Sequence, residues 1–199
     1  IRKNKALCIV DEVQTGFGRV GNAFWSFEEH DVVPDIVTLG KPMGNGHPIA
    51  AVITSEKIAS VFNNGMEYFN SFGGNPVSCA VGKAVLEVIE KEKLQQNALD
   101  IGKYFLKKLQ NIKNKNKKYI SEVRGRGLFL GIDIIQEANK LKPNKKLAKK
   151  IINFMREKGI LLSTDGPYDN VIKIKPPLLF NRDNVDNVCK NLEIFFKKI

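Results

Sequence analysis

The chain has 199 residues, of which 43% are hydrophobic and 27% are charged, and its formal net charge is +11 at pH 7. The hydrophobic content is sufficient for a packed core, which excludes extensive disorder. A chain of this length holds one domain or parts of two. No apolar run approaches the roughly 20 residues that span a bilayer, so no membrane-spanning helix is predicted. With only two histidines, a His-rich metal site is also excluded.

The excess of basic residues suggests nucleic-acid binding, but its distribution favours another interpretation. Most of the charge is lysine, and many lysines fall in Lys103–Lys118 and Lys140–Lys150, without an interleaved aromatic platform for bases. A solvated protein face explains such runs better. We therefore predict neither a nucleic-acid nor a membrane partner.

The three cysteines, Cys8, Cys79 and Cys189, show no paired spacing. They are predicted to be buried, reduced thiols, as in proteins of the cytoplasm or the mitochondrial matrix. The sequence begins at Ile1 without a methionine, so a targeting segment cannot be judged from it.

The first 60 residues predict a small sheet with short connecting elements. Continuous apolar runs at 6–11 and 36–40 are typical of strands buried on both faces of a sheet, and 49–54 predicts a third strand. Between the first two strands, Phe24–Phe27 predicts a short helix or turn that packs onto the sheet. A further short helix is predicted to open at Ser55.

Two amphipathic helices are predicted next. Asn75 and Pro76 mark the start of the first, because Asn accepts free backbone donors and Pro suits the first helical position. Its apolar residues recur at helical spacing: Ala80, Val81, Ala84, Val85, Val88 and Ile89. The second helix has four apolar residues on one side: Ile101, Phe105, Leu106 and Leu109.

The remaining sequence alternates between strands and helices. Strands are predicted near 120–123, 128–134, 160–163 and 171–175, and helices near 145–158 and 183–198. We place a domain boundary near residue 93, inside a helical connection, which divides the chain into 1–93 and 94–199. The predicted fold class is α/β.

Two of the predicted strands end in polar groups that a core does not need. Asp11 follows the apolar run 6–10, and Lys41 follows 35–40. Gly40 precedes the lysine, and nearby glycines allow a bound group to approach the backbone closely. A lysine and a carboxylate at such positions are what pyridoxal 5'-phosphate requires. The amine forms an imine with the cofactor aldehyde, and the carboxylate keeps the pyridine nitrogen protonated.

Less specific interpretations of these residues remain open. Lys41 could be an exposed lysine at a strand end, which is the common fate of lysine. Asp11 could cap the next turn. Because it follows an apolar run, however, we expect its carboxylate to lie away from water with a cationic partner. The neighbouring Glu12 could be structural.

The segment Gly16–Gly21 matches the dinucleotide-binding fingerprint by its letters. That fingerprint requires glycines at a strand-to-helix turn, with an acid about 20 residues further on. Here the polar segment 11–15 intervenes, and Asp35 falls short of the spacing. We interpret these glycines instead as a loop beside the cofactor.

Several motifs together resemble the class III (subgroup II) aminotransferase family, in its order and spacing and over nearly the whole chain. They are Asp11–Gln14, Gly16–Arg19, Pro34–Ile36, Gly40–Pro48, Tyr68–Pro76, Val123–Leu128 and Lys173–Pro177. The resemblance implies an aspartate-aminotransferase-like fold (PLP fold type I), with 1–93 as the C-terminal part of the large cofactor-binding domain and 94–199 as the small C-terminal α/β domain. Family enzymes are considerably longer. An N-terminal half that holds most of the cofactor phosphate is therefore expected to be missing, and this segment alone is expected to be inactive.

The resemblance also implies individual roles. Lys41 would bind the cofactor covalently and act as general base, while Asp11 would hold the pyridine nitrogen. Gln14 would donate to the phenolic oxygen, and Val13 would pack against the ring. Ser71 would reach the cofactor phosphate of the neighbouring subunit, which implies a homodimer or homotetramer. Alternatively, Ser71 is a plain turn serine.

One departure from the family pattern affects the choice of substrate. Most family transaminases have Arg where this chain has Lys173, and that Arg binds the substrate α-carboxylate. Lys173 and Lys175 are two apart on a predicted strand and share a face, which suits a phosphate dianion. Together with Ser163–Pro167 they resemble the phospho-lyase branch, which acts on phosphoethanolamine or phosphohydroxylysine. The two lysines could instead be solvated.

The sequence therefore predicts a phospho-lyase that eliminates phosphate and ammonia from a phosphorylated amine. One alternative is a transaminase, such as an alanine–glyoxylate-like enzyme, that acts on an amino acid. Another is a truncated, non-catalytic segment.

Overall fold

The computed structural model describes residues 2–136 and 141–199, which fall into two compact units, Ile1–Gln95 and Gln96–Ile199. The division lies close to the boundary predicted near residue 93. The assignment of the two units to a large and a small domain stays a prediction.

In its described part, the first unit is built on a three-stranded sheet of order β1-β2-β3. Its strands are β1 Ile9–Asp11, β2 Ile36–Leu39 and β3 Ala51–Thr54, and its helices are α1 Glu56–Phe62 and α2 Pro76–Lys91. The short 3-10 segments are Arg2–Asn4, Ser26–His30 and Lys41–Met43. β1 runs parallel to β2, whereas β2 and β3 are antiparallel.

The predicted start of α2 is confirmed. Asn75 precedes the helix, its Oδ1 accepts a hydrogen bond from the Ser78 amide at 2.9 Å, and Pro76 is the first helical residue. The cap works because the side-chain oxygen satisfies one of the amides that have no partner within the helix.

The expectation that both early strands are buried on both faces is wrong, most clearly for β1. Ile9 is 62% exposed, because β1 is an edge strand of this small sheet and the outer face of Ile9 is not covered by other described residues. In β2 only one face is buried, that of Val37 and Leu39, while Ile36 and Thr38 on the other face are half-buried. The continuous apolar run therefore predicted both strands correctly but not the burial of both faces in either of them.

The second unit has a four-stranded antiparallel sheet of order β4-β5-β7-β6 within the described residues. Its strands are β4 Ile120–Arg126, β5 Phe129–Ile134, β6 Ser163–Asp165 and β7 Val171–Ile174. Its helices are α3 Leu94–Lys115, which begins at the end of the first unit, α4 Lys145–Glu157 and α5 Arg182–Phe196. The third strand was predicted near 160–163, but pairing begins only at Ser163.

The core of the second unit lies between the sheet and these helices. Alternate residues of β5 and β7 enter it, including Ile132 and Ile172, each 1% exposed or less. The predicted apolar side of α3 is confirmed, since Phe105 and Leu109 are fully buried. The opposite face of β7 is therefore left for Val171 and Lys173, and this fixes the direction in which Lys173 projects.

The environments of the cysteines differ from those predicted. All three are free, but Cys189 is buried, Cys8 is half-buried and Cys79 is exposed on α2. Burial raises the pKa of Cys189 to about 12. Cys79 lies in the first turn of α2 on its exposed side, which the spacing of cysteines alone did not indicate.

Most lysines of the two basic runs are exposed, as a solvated face requires. Lys140 lies outside the described residues. No helix in the described part of the chain is long and apolar enough to span a membrane.

Candidate active site

The ends of β1 and β2 bring two of the predicted site residues to one edge of the first sheet. The two strands are parallel, with Asp11 opposite Thr38, and the Glu12 amide continues the pairing by donating to the Thr38 carbonyl at 3.0 Å. Because carboxyl ends of parallel strands meet at the same edge, Lys41, which follows β2, projects from the edge where Asp11 ends β1.

Lys41 has an unusual backbone conformation. It is exposed, it follows the buried Gly40, and its φ is +29°, outside the regions that non-glycine residues usually occupy. The Met43 amide donates to the Gly40 carbonyl at 2.9 Å, which closes a tight turn around the lysine. Strained backbone of this kind clusters at functional sites, because the surrounding structure must hold it in place.

Asp11 is exposed, so the expectation that its carboxylate lies away from water is wrong for this chain. Its Oδ1 accepts a hydrogen bond from the Val13 amide at 2.9 Å, and among the described residues it forms no ion pair. Within the described residues, β1 has a neighbouring strand on one side only. The carboxylate is therefore open to a cationic partner from outside the described residues.

Val13 and Gln14 are half-buried beside the same strand ends. The two methyl groups of Val13 lie 3.7 Å from the point where a Cβ on Gly40 would sit. Val13 therefore forms an apolar wall next to the residue that precedes Lys41. The structure brings Lys41, Asp11 and Val13 together at one sheet edge, and Gln14 follows Val13 directly in sequence.

Glu12 has the structural role that the sequence left open. It is fully buried, and its Oε1 accepts from the Ser26 hydroxyl at 2.6 Å and the Phe27 amide at 3.0 Å. Its Oε2 accepts from the Thr15 hydroxyl at 2.8 Å. The carboxylate thereby ties the segment after β1 to the 3-10 segment that precedes β2.

The segment Gly16–Gly21 consists of successive turns and does not open a helix, so rejection of the dinucleotide fingerprint is confirmed. Gly18 has a φ of +73°, and a Cβ there would lie 2.9 Å from the Cβ of Gln95. Phe17 packs against Trp25 with ring centroids 5.1 Å apart. These glycines make a tightly packed loop. Its position beside a cofactor stays a prediction.

Ser71 lies exposed in the turn that precedes the cap of α2. Its position is compatible with either interpretation made from the sequence, a phosphate contact in a neighbouring subunit or a plain turn serine. The first of these stays a prediction.

Lys173 belongs to the second unit, where it forms an ion pair with Asp165. Its side chain is 22% exposed, and its Nζ lies 2.6 Å from Asp165 Oδ2. This contact is the main cause that lowers the pKa of the Asp165 carboxyl, and the Gly166 amide, which donates to Oδ1 at 2.8 Å, adds to it. Lys175 is half-buried just beyond β7.

Lys173 and Asp165 line a cavity of about 400 Å³ that sequence reasoning missed. Arg124 lines it too, with its Nη1 2.7 Å from Glu122 and 3.5 Å from Asp133. Two cations at one cavity can bind an anion if the carboxylates that already pair with them leave room. One sequence pattern could have indicated this cavity: Asp165 and Lys173 have opposite charges and lie on neighbouring short strands.

The residues of the first unit fit pyridoxal 5'-phosphate. Lys41 supplies an exposed primary amine, Asp11 supplies a carboxylate without an ion-pair partner among the described residues, and Val13 supplies an apolar surface for a ring. Gln14 is a half-buried amide near the same edge. By contrast, no group of three or more possible metal ligands occurs in the described ranges 2–136 and 141–199.

The chain is similar both to proteins that are named as aminotransferases and to proteins that are named as phospho-lyases. It is 51% identical over 188 residues to "Alanine--glyoxylate aminotransferase 2-like" of Drosophila melanogaster, covering 94% of this chain and 38% of that protein. It is 44% identical over 188 residues to "Ethanolamine-phosphate phospho-lyase homolog 1" of Caenorhabditis elegans, covering 93% of this chain and 40% of that protein. The chain therefore spans less than half the length of these relatives.

The chain is also similar to a solved structure of a phospholyase. A phospholyase from Arthrobacter in complex with phosphoethanolamine superposes with a TM-score of 0.94 and 45% sequence identity, covering all of this chain and 47% of that chain. The predicted aspartate-aminotransferase-like α/β fold is thereby confirmed. The family model for aminotransferase class-III matches residues 1–196. The chain belongs to the class-III aminotransferase family, whose members are pyridoxal-phosphate-dependent aminotransferases and phospho-lyases.

Proposed function

We propose that the full-length protein carrying this chain is a pyridoxal-phosphate-dependent phospho-lyase that acts on a phosphorylated amine such as phosphoethanolamine. The observation that carries this proposal is the presence of Lys173 at the cavity of the second unit. Most family transaminases have Arg at this position of the sequence. The similarity to the Arthrobacter phospholyase supports it.

We further propose that the protein works in the cytoplasm or mitochondrial matrix, where its three free cysteines stay reduced.

Lys41 is the proposed catalytic residue. Lys41 would hold the cofactor covalently, and its amine, once free, would remove the proton from the carbon that bears the substrate amine. When bound, pyridoxal phosphate supplies an electron sink for that carbon. The phosphate group leaves from the neighbouring carbon, one water is consumed, and the products are phosphate, ammonia and an aldehyde. No amino acceptor is required.

The other residues of the first unit have positioning and binding roles in this proposal. Asp11 would accept a hydrogen bond from the protonated pyridine nitrogen, Val13 would pack against the ring and Gln14 would donate to its phenolic oxygen. Ser71 binds the cofactor phosphate of a neighbouring subunit, so the active form is a homodimer or homotetramer.

Lys173 and Lys175 are the proposed ligands of the substrate phosphate. Lys173 already holds one carboxylate oxygen of Asp165 at 2.6 Å, so a phosphate must share or replace that contact. A dianion with three oxygens offers more charge and more acceptors than the carboxylate does. Arg124 lines the same cavity and adds a second cation there.

The test is release of phosphate in the absence of a keto acid. Full-length protein is incubated with pyridoxal phosphate and phosphoethanolamine, and phosphate and ammonia are measured. Equal amounts of both, lost in Lys41→Ala and reduced in Lys173→Met, are the expected result. Lys83→Met, which removes an exposed lysine paired with Glu87 on α2, is the matched control and should keep full activity.

A transaminase is the second candidate, and two observations favour it. The Drosophila melanogaster relative named as an aminotransferase is 51% identical. The ion pair with Asp165 also leaves Lys173 with less free charge for a phosphate dianion. In this case Lys41 moves a proton during amino transfer to a keto acid. No phosphate release, together with transfer from alanine to glyoxylate, would select this function.

A non-catalytic role is the remaining alternative. Borohydride reduction of the full-length protein with pyridoxal phosphate, followed by peptide mass spectrometry, separates it from both enzymes. An adduct on Lys41 supports an enzyme, whereas a protein without any adduct would be a structural or binding segment.

A further inference from the structure

We propose that His47 is a positioning residue that fixes the conformation of Lys41 through a hydrogen bond to Ser78. The imidazole Nε2 of His47 lies 2.8 Å from the Ser78 hydroxyl oxygen. This inference rests on the proposed function, in that Lys41 is taken as the residue that binds the cofactor. His47 itself is not placed in contact with the cofactor.

The segment between Lys41 and His47 is a series of tight turns, so a shift of His47 also shifts Lys41. The Met43 amide donates to the Gly40 carbonyl, the Asn45 amide to the Pro42 carbonyl and the His47 amide to the Gly44 carbonyl, at 2.9, 3.2 and 3.0 Å. A Cβ at Gly44 would lie 2.1 Å from the His47 carbonyl oxygen, so the last turn leaves no space for a side chain. A displacement of His47 is therefore passed back along the turns towards the lysine.

Ser78 is a fixed anchor for this segment. It lies in the first turn of α2, where Asn75 Oδ1 accepts from its amide and Asn75 Nδ2 donates to its hydroxyl oxygen, both at 2.9 Å. One turn further along, Gly82 is buried, and a Cβ there would lie 3.4 Å from the Ile49 Cδ1 atom. The small residue lets the segment that follows His47 lie directly on the helix.

The anchor at Ser78 matters because the backbone of Lys41 is strained and must be held in place. A non-glycine residue with φ of +29° relaxes unless its surroundings hold it. One end of the segment is held by β2, whereas the other end is held by the bond between His47 and Ser78 and by β3. Without that bond we expect the lysine amine to sample positions from which it reaches the cofactor less often.

The experiment measures cofactor attachment in the full-length protein, without reference to turnover. The variants are His47→Ala, His47→Gln, Ser78→Ala and the double variant His47→Ala/Ser78→Ala. Pyridoxal phosphate is titrated by visible absorbance, and the fraction of Lys41 modified after borohydride reduction is read by mass spectrometry. Ser60→Ala is the matched control, because that exposed serine on α1 donates only to a carbonyl of its own helix.

We expect His47→Ala to raise the apparent Kd of the cofactor about fivefold, the equivalent of one lost hydrogen bond, and to lower the modified fraction of Lys41. His47→Gln should restore both values to within about twofold, because its amide reaches as far as Nε2. The double variant should be no worse than the more affected single variant.

The opposite results are equally clear. If Lys41 is modified in the wild-type protein and His47→Ala binds the cofactor equally well, the inference is overturned while the proposed function stands. Should His47→Ala fail to fold, Ser78→Ala carries the same test from the helix side. Absence of any Lys41 adduct in the wild-type protein would overturn both proposals.

Discussion

Asp165 and Lys173 form an ion pair across the antiparallel strands β6 and β7, with an Nζ to Oδ2 distance of 2.6 Å. Ser163, two residues before the aspartate, is the direct partner of Lys173 in the strand register. The carboxylate therefore reaches the lysine diagonally, on the face that does not enter the core. This pair reduces the positive charge that Lys173 contributes to the cavity of the second unit, which Arg124 also lines.

Replacement of Lys173 should raise the pKa of Asp165. The lysine lowers the pKa of this carboxyl from its ordinary value of 3.8, so the stabilisation from the pair is present above that value and is lost as the pH falls through the lower, folded-state pKa. In Lys173→Met we expect the carboxyl titration, followed by carbon-13 NMR, to move up towards 3.8.

Lys145→Met provides the comparison for this titration. Lys145 pairs with Asp169, whose pKa it lowers in the same way. Its removal should raise the pKa of Asp169 and leave that of Asp165 in place. An Asp165 titration that does not change in Lys173→Met would contradict the ion pair.

Cys189 should react very slowly with thiol reagents in the folded protein. Burial raises its pKa from 9.0 to about 12, so at pH 8 its thiolate fraction is about a thousandfold below that of an ordinary thiol. The measurement uses Cys8→Ser/Cys79→Ser protein with a chromogenic disulfide reagent, in buffer and in urea. Equal rates in the two solvents would show that Cys189 is not buried.

Leu109→Ala should destabilise the protein by about 2–5 kcal/mol, because it removes a fully buried side chain from the core of the second unit. Leu161→Ala is the matched control, since that leucine is 83% exposed and its truncation should cost less than about 0.5 kcal/mol. Urea denaturation of both variants measures the difference. Similar midpoints would exclude the packing described for α3.

Glu12→Ala should lower the free energy of unfolding by about 2–4 kcal/mol, because it removes the buried carboxylate that accepts from the Phe27 amide and from the Ser26 and Thr15 hydroxyls. Glu12→Gln should cost less, since its amide oxygen can still accept from Phe27 while its NH2 faces the Thr15 hydroxyl, which can accept. The exposed Glu56→Ala on α1 is the control. Thermal unfolding distinguishes the three variants, and a Glu12→Ala protein as stable as the control would refute the buried carboxylate.

The sequence by itself determined the features that depend on near neighbours along the chain. The cap at Asn75, the apolar side of α3 and the positions of Asp11 and Lys41 at strand ends all follow from local periodicity and backbone chemistry, and the structure agrees with each. The family resemblance rested on such local motifs too, and the class-III match over residues 1–196 confirms it.

Tertiary structure alone decided the features that join distant segments. The register of β6 against β7 pairs Lys173 with Asp165, the edge position of β1 exposes Asp11, and packing of α2 brings Ser78 to His47 across 31 residues of sequence. Each of these depends on which elements pack together and in what register. Residues far apart in the chain set that register through burial and steric fit, which no local pattern records.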